Sequence, residues 1–97
     1  MAKYALYVSL KAKPGKEEEV EAFLKAGAEM SKAETGTATW YGIKEGEGAY
    51  AVFDTFDDEA GRDAHMNGEI ARALMGKAEE LFSNTLQIHK LEIVANK

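Results

Sequence analysis

No cysteine occurs in the 97 residues, which excludes disulfides, thiolate nucleophiles and zinc–thiolate sites. That absence fits a reducing cytoplasm, where we expect the protein to reside. No apolar run approaches the roughly 18 residues that a membrane span requires, so no membrane segment is expected. The start, Met1-Ala2-Lys3-Tyr4, leads directly into strand-like sequence, and no signal peptide or lipidation motif is expected. Basic residues are few: 12 Lys and Arg against 17 Asp and Glu give a net charge of −5. No basic stripe is visible, which argues against nucleic-acid binding, because phosphate contacts need clustered Lys and Arg. No glycine-rich phosphate loop follows a strand, so a Rossmann-type nucleotide or flavin site has no support.

What is present describes one globular domain over residues 1–97, with hydrophobic residues at 45% and charged ones at 30%. Tyr4, Leu6, Val8 and Leu10 alternate with Ala5, Tyr7 and Ser9, the period of a strand over about 3–11. Lys13-Pro14-Gly15 breaks it. Val20, Phe23, Leu24, Gly27 and Ser31 then share one face of a helix over about 16–33, with Glu17, Glu18 and Glu19 in its first turn. Thr37 to Ile43 is β-branched and aromatic and reads as a second strand. Glu45-Gly46-Glu47-Gly48 reads as a hairpin turn, and Ala49 to Thr55 as a third strand. Asp57 is the expected cap of a following helix, and Asn67-Gly68 its left-handed stop. Ile70, Ala73, Leu74, Ala78, Leu81 and Phe82 mark another helix, and Gln87 to Ala95 a last strand. The order β-α-β-β-α-α-β, with a right-handed crossover from the first strand to a parallel neighbour, predicts a ferredoxin-like α+β sandwich. Its four-stranded sheet would be mostly antiparallel, with helices on one face.

The face left in water should then be polar, yet neither face is. One set comprises Tyr4, Leu6, Val8, Leu10, Tyr50, Val52 and Phe56; the other comprises Ala5, Tyr7, Ala51 and Phe53, joined by some of Trp40, Tyr41, Leu91 and Ile93. An exposed apolar sheet calls for a partner chain. A symmetric homodimer burying at least roughly 800 Å² per partner is the expectation.

At this point the sequence resembles the antibiotic biosynthesis monooxygenase family of dimeric α+β barrels. The likeness runs over nearly the whole chain. It is sharpest over Phe53 to Leu74, where "DEAGRDAHMNGEIARAL" is similar to one branch of that family, and is supported by "KPGKEEEVEAFL", Lys13 to Leu24. The resemblance implies an oxygenase that needs no cofactor, acting with O2 on a small electron-rich aromatic such as a quinol or a polyketide-type phenol. The wider superfamily also contains haem-degrading enzymes and members without an assigned activity. Haem-degrading relatives carry a histidine ligand in the last-but-one helical segment, and this chain has no histidine between Asn67 and Asn84. Relatives often have an aromatic three residues before the histidine that stands here as His65; this chain has Arg62 there, which makes the pocket edge more polar.

His65 is the candidate catalytic residue. A phenol loses its proton before it gives an electron readily to O2, and imidazole can take that proton near neutrality. Equally, a histidine ending a helix caps and charge-balances its carbonyls. Trp40 and Tyr41 are candidates to stack on a flat substrate, but strand alternation sends them to opposite faces. Either can instead be plain packing. Tyr7 and Phe53 are core first and pocket wall second. Asp54 is a carboxylate inside an apolar strand, costly unless paired; it can orient His65 or accept a substrate hydroxyl, with pairing to Arg62 or Lys3 the preferred reading. Arg62, four residues after Asp58, suits a helix ion pair or an anionic substrate group. His89 reads as structural, and Met66 and Met75 as gap-filling core. His65 and Glu69 are four apart, but Asn67-Gly68 lies between them and no third ligand is evident, so no metal is expected. The alternative to catalysis is a small dimeric protein that holds a hydrophobic ligand, or serves under stress, without chemistry.

Overall fold

The computed structural model describes residues 1–97. The elements are β1 (Tyr4–Lys11), α1 (Glu17–Ser31), β2 (Thr37–Gly46), β3 (Ala49–Phe56), α2 (Glu59–Met66), α3 (Glu69–Leu81) and β4 (Ile88–Glu92). The strands form one four-stranded sheet in the order β2-β3-β1-β4, and every pairing is antiparallel. The fold is the expected ferredoxin-like α+β arrangement, with one correction. The crossover through α1 joins β1 to β2, but β3 folds back by a tight hairpin and inserts between them. The parallel pair is therefore never adjacent.

Local chemistry moves several boundaries. β2 runs on through Gly46, so the turn shrinks to Glu47-Gly48. Gly48 has φ +70°, a left-handed value that glycine takes without a Cβ clash. Asp58, not Asp57, caps α2: its backbone is extended and its Oδ1 accepts from the Gly61 amide at 2.7 Å. Asp57 lies one residue too early to reach that amide and instead meets the N-terminal ammonium at 3.7 Å. Asn67-Gly68 is not a left-handed stop. Asn67 has φ −101° and Gly68 has φ −92° and ψ −173°, because Gly68 serves at once as the extended residue that starts α3. β4 is shorter than expected; it pairs with β1 alone, as a sheet edge.

Residue pairing assigns the two faces. Leu6 lies opposite Asp54, Val8 opposite Val52 and Leu10 opposite Tyr50 across β1 and β3, while Trp40 lies opposite Asp54 across β2 and β3. These side chains point under the helices. Leu10, Tyr50 and Val52 form the core there with Val20 and Leu24 of α1 and Leu74 and Leu81 of α3. Burying such side chains is the main driving force, at about 25 cal/mol per Å² of apolar surface removed from water. The other face carries Ala5, Tyr7, Phe53, Tyr41, Ile43 and Leu91, with no element laid over it. Tyr41 is 53% exposed and Leu91 38%. Met75, expected in the core, is on the exposed side of α3. No helix is long and apolar enough to cross a membrane.

Candidate functional site

The site begins with a polar residue where the core pattern calls for an apolar one. Alternation along β3 turns Asp54 under the helices, between its cross-strand neighbours Leu6 and Trp40. It is 1% exposed. An isolated carboxylate in that setting is costly, and the compensation comes from α2. His65, in the last turn of that helix, places Nε2 at 2.8 Å from Asp54 Oδ2. Its other nitrogen, Nδ1, lies 2.7 Å from Oε1 of Glu34 in the loop between α1 and β2. The same Oε1 accepts from Thr37 Oγ1 at 2.8 Å, and the His65 ring rests against Phe56 with centroids 5.4 Å apart.

Close backbone contact brings the Glu34 loop and α2 together. A Cβ on Gly61 would lie 2.6 Å from the Gly36 carbonyl oxygen, and one on Gly36 would lie 2.8 Å from the Gly61 Cα. Only glycine at both places lets the loop approach the helix this closely. On the next turn, a Cβ on Gly68 would stand 3.2 Å from Glu34 Oε2. Three glycines thus shape the seat of one carboxylate.

Ionised carboxylates only accept hydrogen bonds. An imidazole held between two of them can serve both only with a hydrogen on each nitrogen, so the arrangement favours the protonated ring. Burial by itself pushes its pKa down, but hydrogen bonding to Asp54 and Glu34, together with their charges, outweighs burial and holds the pKa above its ordinary value. The two contacts differ in quality. Glu34 takes a well-formed hydrogen bond, whereas Nε2 and Oδ2 meet as an ion pair and neither oxygen of Asp54 has a well-aligned hydrogen bond within the chain. Oδ1 has no polar partner at all.

Asp54 and His65 wall a cavity of about 40 Å³ between the helices and the sheet. The rest of its lining is almost wholly apolar, including Leu6, Phe23, Trp40, Met66, Ile70 and Ile88. The indole of Trp40 packs on α1 at Gly27, where a Cβ would lie 2.9 Å from Cη2. Its Nε1 is buried and finds no acceptor in the chain. The reverse side of His65 and Glu34 borders a surface groove lined by Met30, Thr37, Gly61 and Glu69. The Glu34–His65 pair therefore stands between the cavity and solvent.

The structure divides the residues singled out from sequence. Trp40, Asp54 and His65 come together at the cavity. Tyr7, Tyr41 and Phe53 do not: pairing places them on the open face, with Tyr7 opposite Phe53 and Tyr41 opposite Phe53. There the Tyr7 hydroxyl donates to Glu45 at 2.8 Å, and this bond, burial and the Glu45 charge raise its pKa. Arg62 is not at the cavity either. Its guanidinium lies 5.0 Å over the Tyr4 ring and donates to the Leu91 carbonyl at 3.2 Å. The expected pairing of Asp54 with Arg62 or Lys3 is overturned, since His65 takes that place. The expected Arg62–Asp58 pair is absent because the Asp58 side chain is turned to its own helix's amides. His89 sits on the open face beside Tyr7, with ring centroids 6.2 Å apart. Sequence reasoning missed Glu34. It lies 31 residues from His65, in a short polar loop where a carboxylate draws no notice. The nearest signal was Gly36, one glycine in a loop that needs close approach.

No protein-family model matches the chain, and no curated protein is similar to it. Among solved structures it is similar to the protein NE2512 of unknown function from Nitrosomonas europaea. The two are 47% identical with a TM-score of 0.95, over 100% of this chain and 94% of that one. It is also similar to a "putative antibiotic biosynthesis monooxygenase" from Caulobacter crescentus, 20% identical with a TM-score of 0.82, covering 97% of this chain and 92% of that one. A structure from Bacteroides thetaiotaomicron with the same description is 19% identical at a TM-score of 0.77, over 96% of this chain and 90% of that one. These two likenesses are of fold.

Proposed function

The chain belongs to one family with the Nitrosomonas europaea protein NE2512 and has the antibiotic biosynthesis monooxygenase-like α+β fold, and from that premise we propose that it is an oxygenase needing no bound metal or flavin. Its substrate would be a small electron-rich aromatic bearing a hydroxyl, a quinol or a polyketide-type phenol, and it would act in the cytoplasm. The observation that carries this reading is the buried carboxylate of Asp54, with one oxygen unpartnered at an otherwise apolar cavity.

The sequence favoured His65 as the base. With both ring nitrogens engaged, that role passes to Asp54, and His65 becomes the group that fixes it. The substrate O–H gives its proton to Asp54 Oδ1. The resulting anion sits near the His65 imidazolium in a site that excludes water, where such a charge is worth far more than in solution. The anion passes one electron to O2, and the ring radical and superoxide combine to form a C–O bond. Asp54 returns its proton to the peroxide, and loss of the ring C–H proton with cleavage of the O–O bond then releases water and leaves a quinone. The balance is phenol plus O2 giving quinone plus water. Glu34 positions His65 from the solvent side.

The cavity is smaller than the roughly 150 Å³ that houses a benzene ring, so a substrate needs its wall to give. Met66 is unbranched and adaptable, and Ile88 on the edge strand is 42% exposed. The almost wholly apolar lining supports a second reading, a protein that holds a hydrophobic ligand without chemistry. Oxygen uptake by metal-stripped protein across a panel of quinols and phenols separates the two. Uptake that falls at least about tenfold in Asp54→Asn supports the oxygenase, since general-base effects start above that size. No uptake across the panel favours the binding protein.

The open face supports a homodimer. Tyr41, Ile43 and Leu91 present apolar surface there, and a second copy placing its own sheet against this one would cover both. On this reading Tyr7, Tyr41 and Phe53 serve the interface and not the substrate. Sedimentation should give twice the 10.6 kDa chain mass.

A further inference from the structure

Two residues that line the cavity each carry a buried polar atom without a hydrogen-bond partner, and the two atoms are of opposite kind. Trp40 Nε1 can only donate, and the ionised Asp54 Oδ1 can only accept. Their residues face each other directly across β2 and β3, on the same side of the sheet, and both wall the cavity. Buried polar groups without partners are rare and costly, and two on paired residues at one apolar cavity call for a ligand group that satisfies both. One atom can do so if it accepts and donates together. A hydroxyl oxygen does this; an ether or carbonyl oxygen accepts but cannot donate, and an ammonium donates but cannot accept.

The geometry points to a hydroxyl cradle: the ligand's O–H donates to Asp54 Oδ1 while its oxygen accepts from Trp40 Nε1, so the site selects phenols against the matching ethers and quinones. This rests on the cavity being the substrate site. It adds to that reading a specificity residue, Trp40, and a reason for product release. Oxidation turns the hydroxyl into a carbonyl, which leaves Asp54 unpaired again. A site built to bond a hydroxyl discriminates against analogues lacking it because its own buried group is then stranded.

Binding under argon tests the cradle apart from oxygenation. Hydroquinone, 1,4-dimethoxybenzene and 1,4-benzoquinone are titrated by calorimetry into wild-type protein, Asp54→Asn and Trp40→Phe, with circular dichroism confirming that each variant folds. Wild type should bind hydroquinone at least about tenfold more tightly than either analogue. Asp54→Asn, whose amide can donate, should erase or invert that preference. Trp40→Phe should weaken hydroquinone severalfold while keeping its advantage over the ether. Equal affinities in wild type, a preference that survives Asp54→Asn, or no binding of any probe would overturn the cradle. A preference under argon with no oxygen uptake in air upholds the cradle and sinks the oxygenase. Oxygen uptake with no preference does the reverse.

Discussion

On the helix-covered face of the sheet Leu10 and Phe56 are fully buried, while on the other face Tyr41 is 53% exposed and Leu91 38%. The same strands supply both faces, and both are apolar by composition. The covered face combines a packed core with one charged cluster, in which the carboxylates of Asp54 and Glu34 flank the His65 ring. The open face has no such cluster; its polar contacts are single hydrogen bonds, such as Tyr7 to Glu45 and the Thr39–Thr55 hydroxyl pair at 2.7 Å. The contrast separates two ways of spending apolar surface. One face encloses a charged cluster beside a cavity; the other is smooth and apolar, the surface on which the proposed dimer would form.

Core truncation should break the comparison most strongly. Leu10→Ala is expected to cost about 2–5 kcal/mol in chemical denaturation at any protein concentration. Leu91→Ala should leave the isolated subunit within about 0.5 kcal/mol of wild type. Gly61→Ala comes next. Alanine normally helps a helix interior by about 1 kcal/mol, but here the added carbon meets the Gly36 backbone, so a net loss of roughly 1–3 kcal/mol is expected. Glu34 should lose its hold on His65 in the same variant, seen as a lowered imidazole pKa. On the open face, Tyr41→Glu should weaken dimerisation at least about tenfold, or 1.4 kcal/mol, in concentration-dependent sedimentation. An unchanged dimer would place the interface elsewhere. Asp58→Ala removes the α2 cap and should cost about 1 kcal/mol in melting experiments.

The smallest effect is on pH. The folded His65 pKa is raised above its unfolded value. Its contribution is therefore fully present below the ordinary histidine pKa and is lost as pH rises through the folded one. Stability of wild type should decline over that alkaline-going window, and His65→Asn should flatten the decline.

Much of the fold was legible because it is written in local periods. The alternation in β1 and the spacing of Val20 and Leu24 need nothing beyond neighbouring residues. The errors fell where two elements compete for one residue. Gly68 could end α2 or begin α3, and the cap expected at Asp57 falls one residue later, on Asp58. The site was half legible. Asp54 stands out as a carboxylate inside an apolar strand and His65 as a titratable ring in the segment that carries the family resemblance, and alternation predicted that Trp40 and Tyr41 part company without saying which goes inward. Glu34 and the Gly36–Gly61 contact were invisible, because they depend on a loop meeting a helix across a long stretch of sequence, which no period encodes.

The account turns on the charge state of one ring, which nitrogen-15 NMR of the His65 side chain reads directly. At a pH above the ordinary histidine value, both Nδ1 and Nε2 should still carry protons, and Asp54→Asn or Glu34→Gln should each bring the loss of one proton to lower pH. A ring already neutral at pH 7, with one bare nitrogen and no response to either substitution, would contradict it.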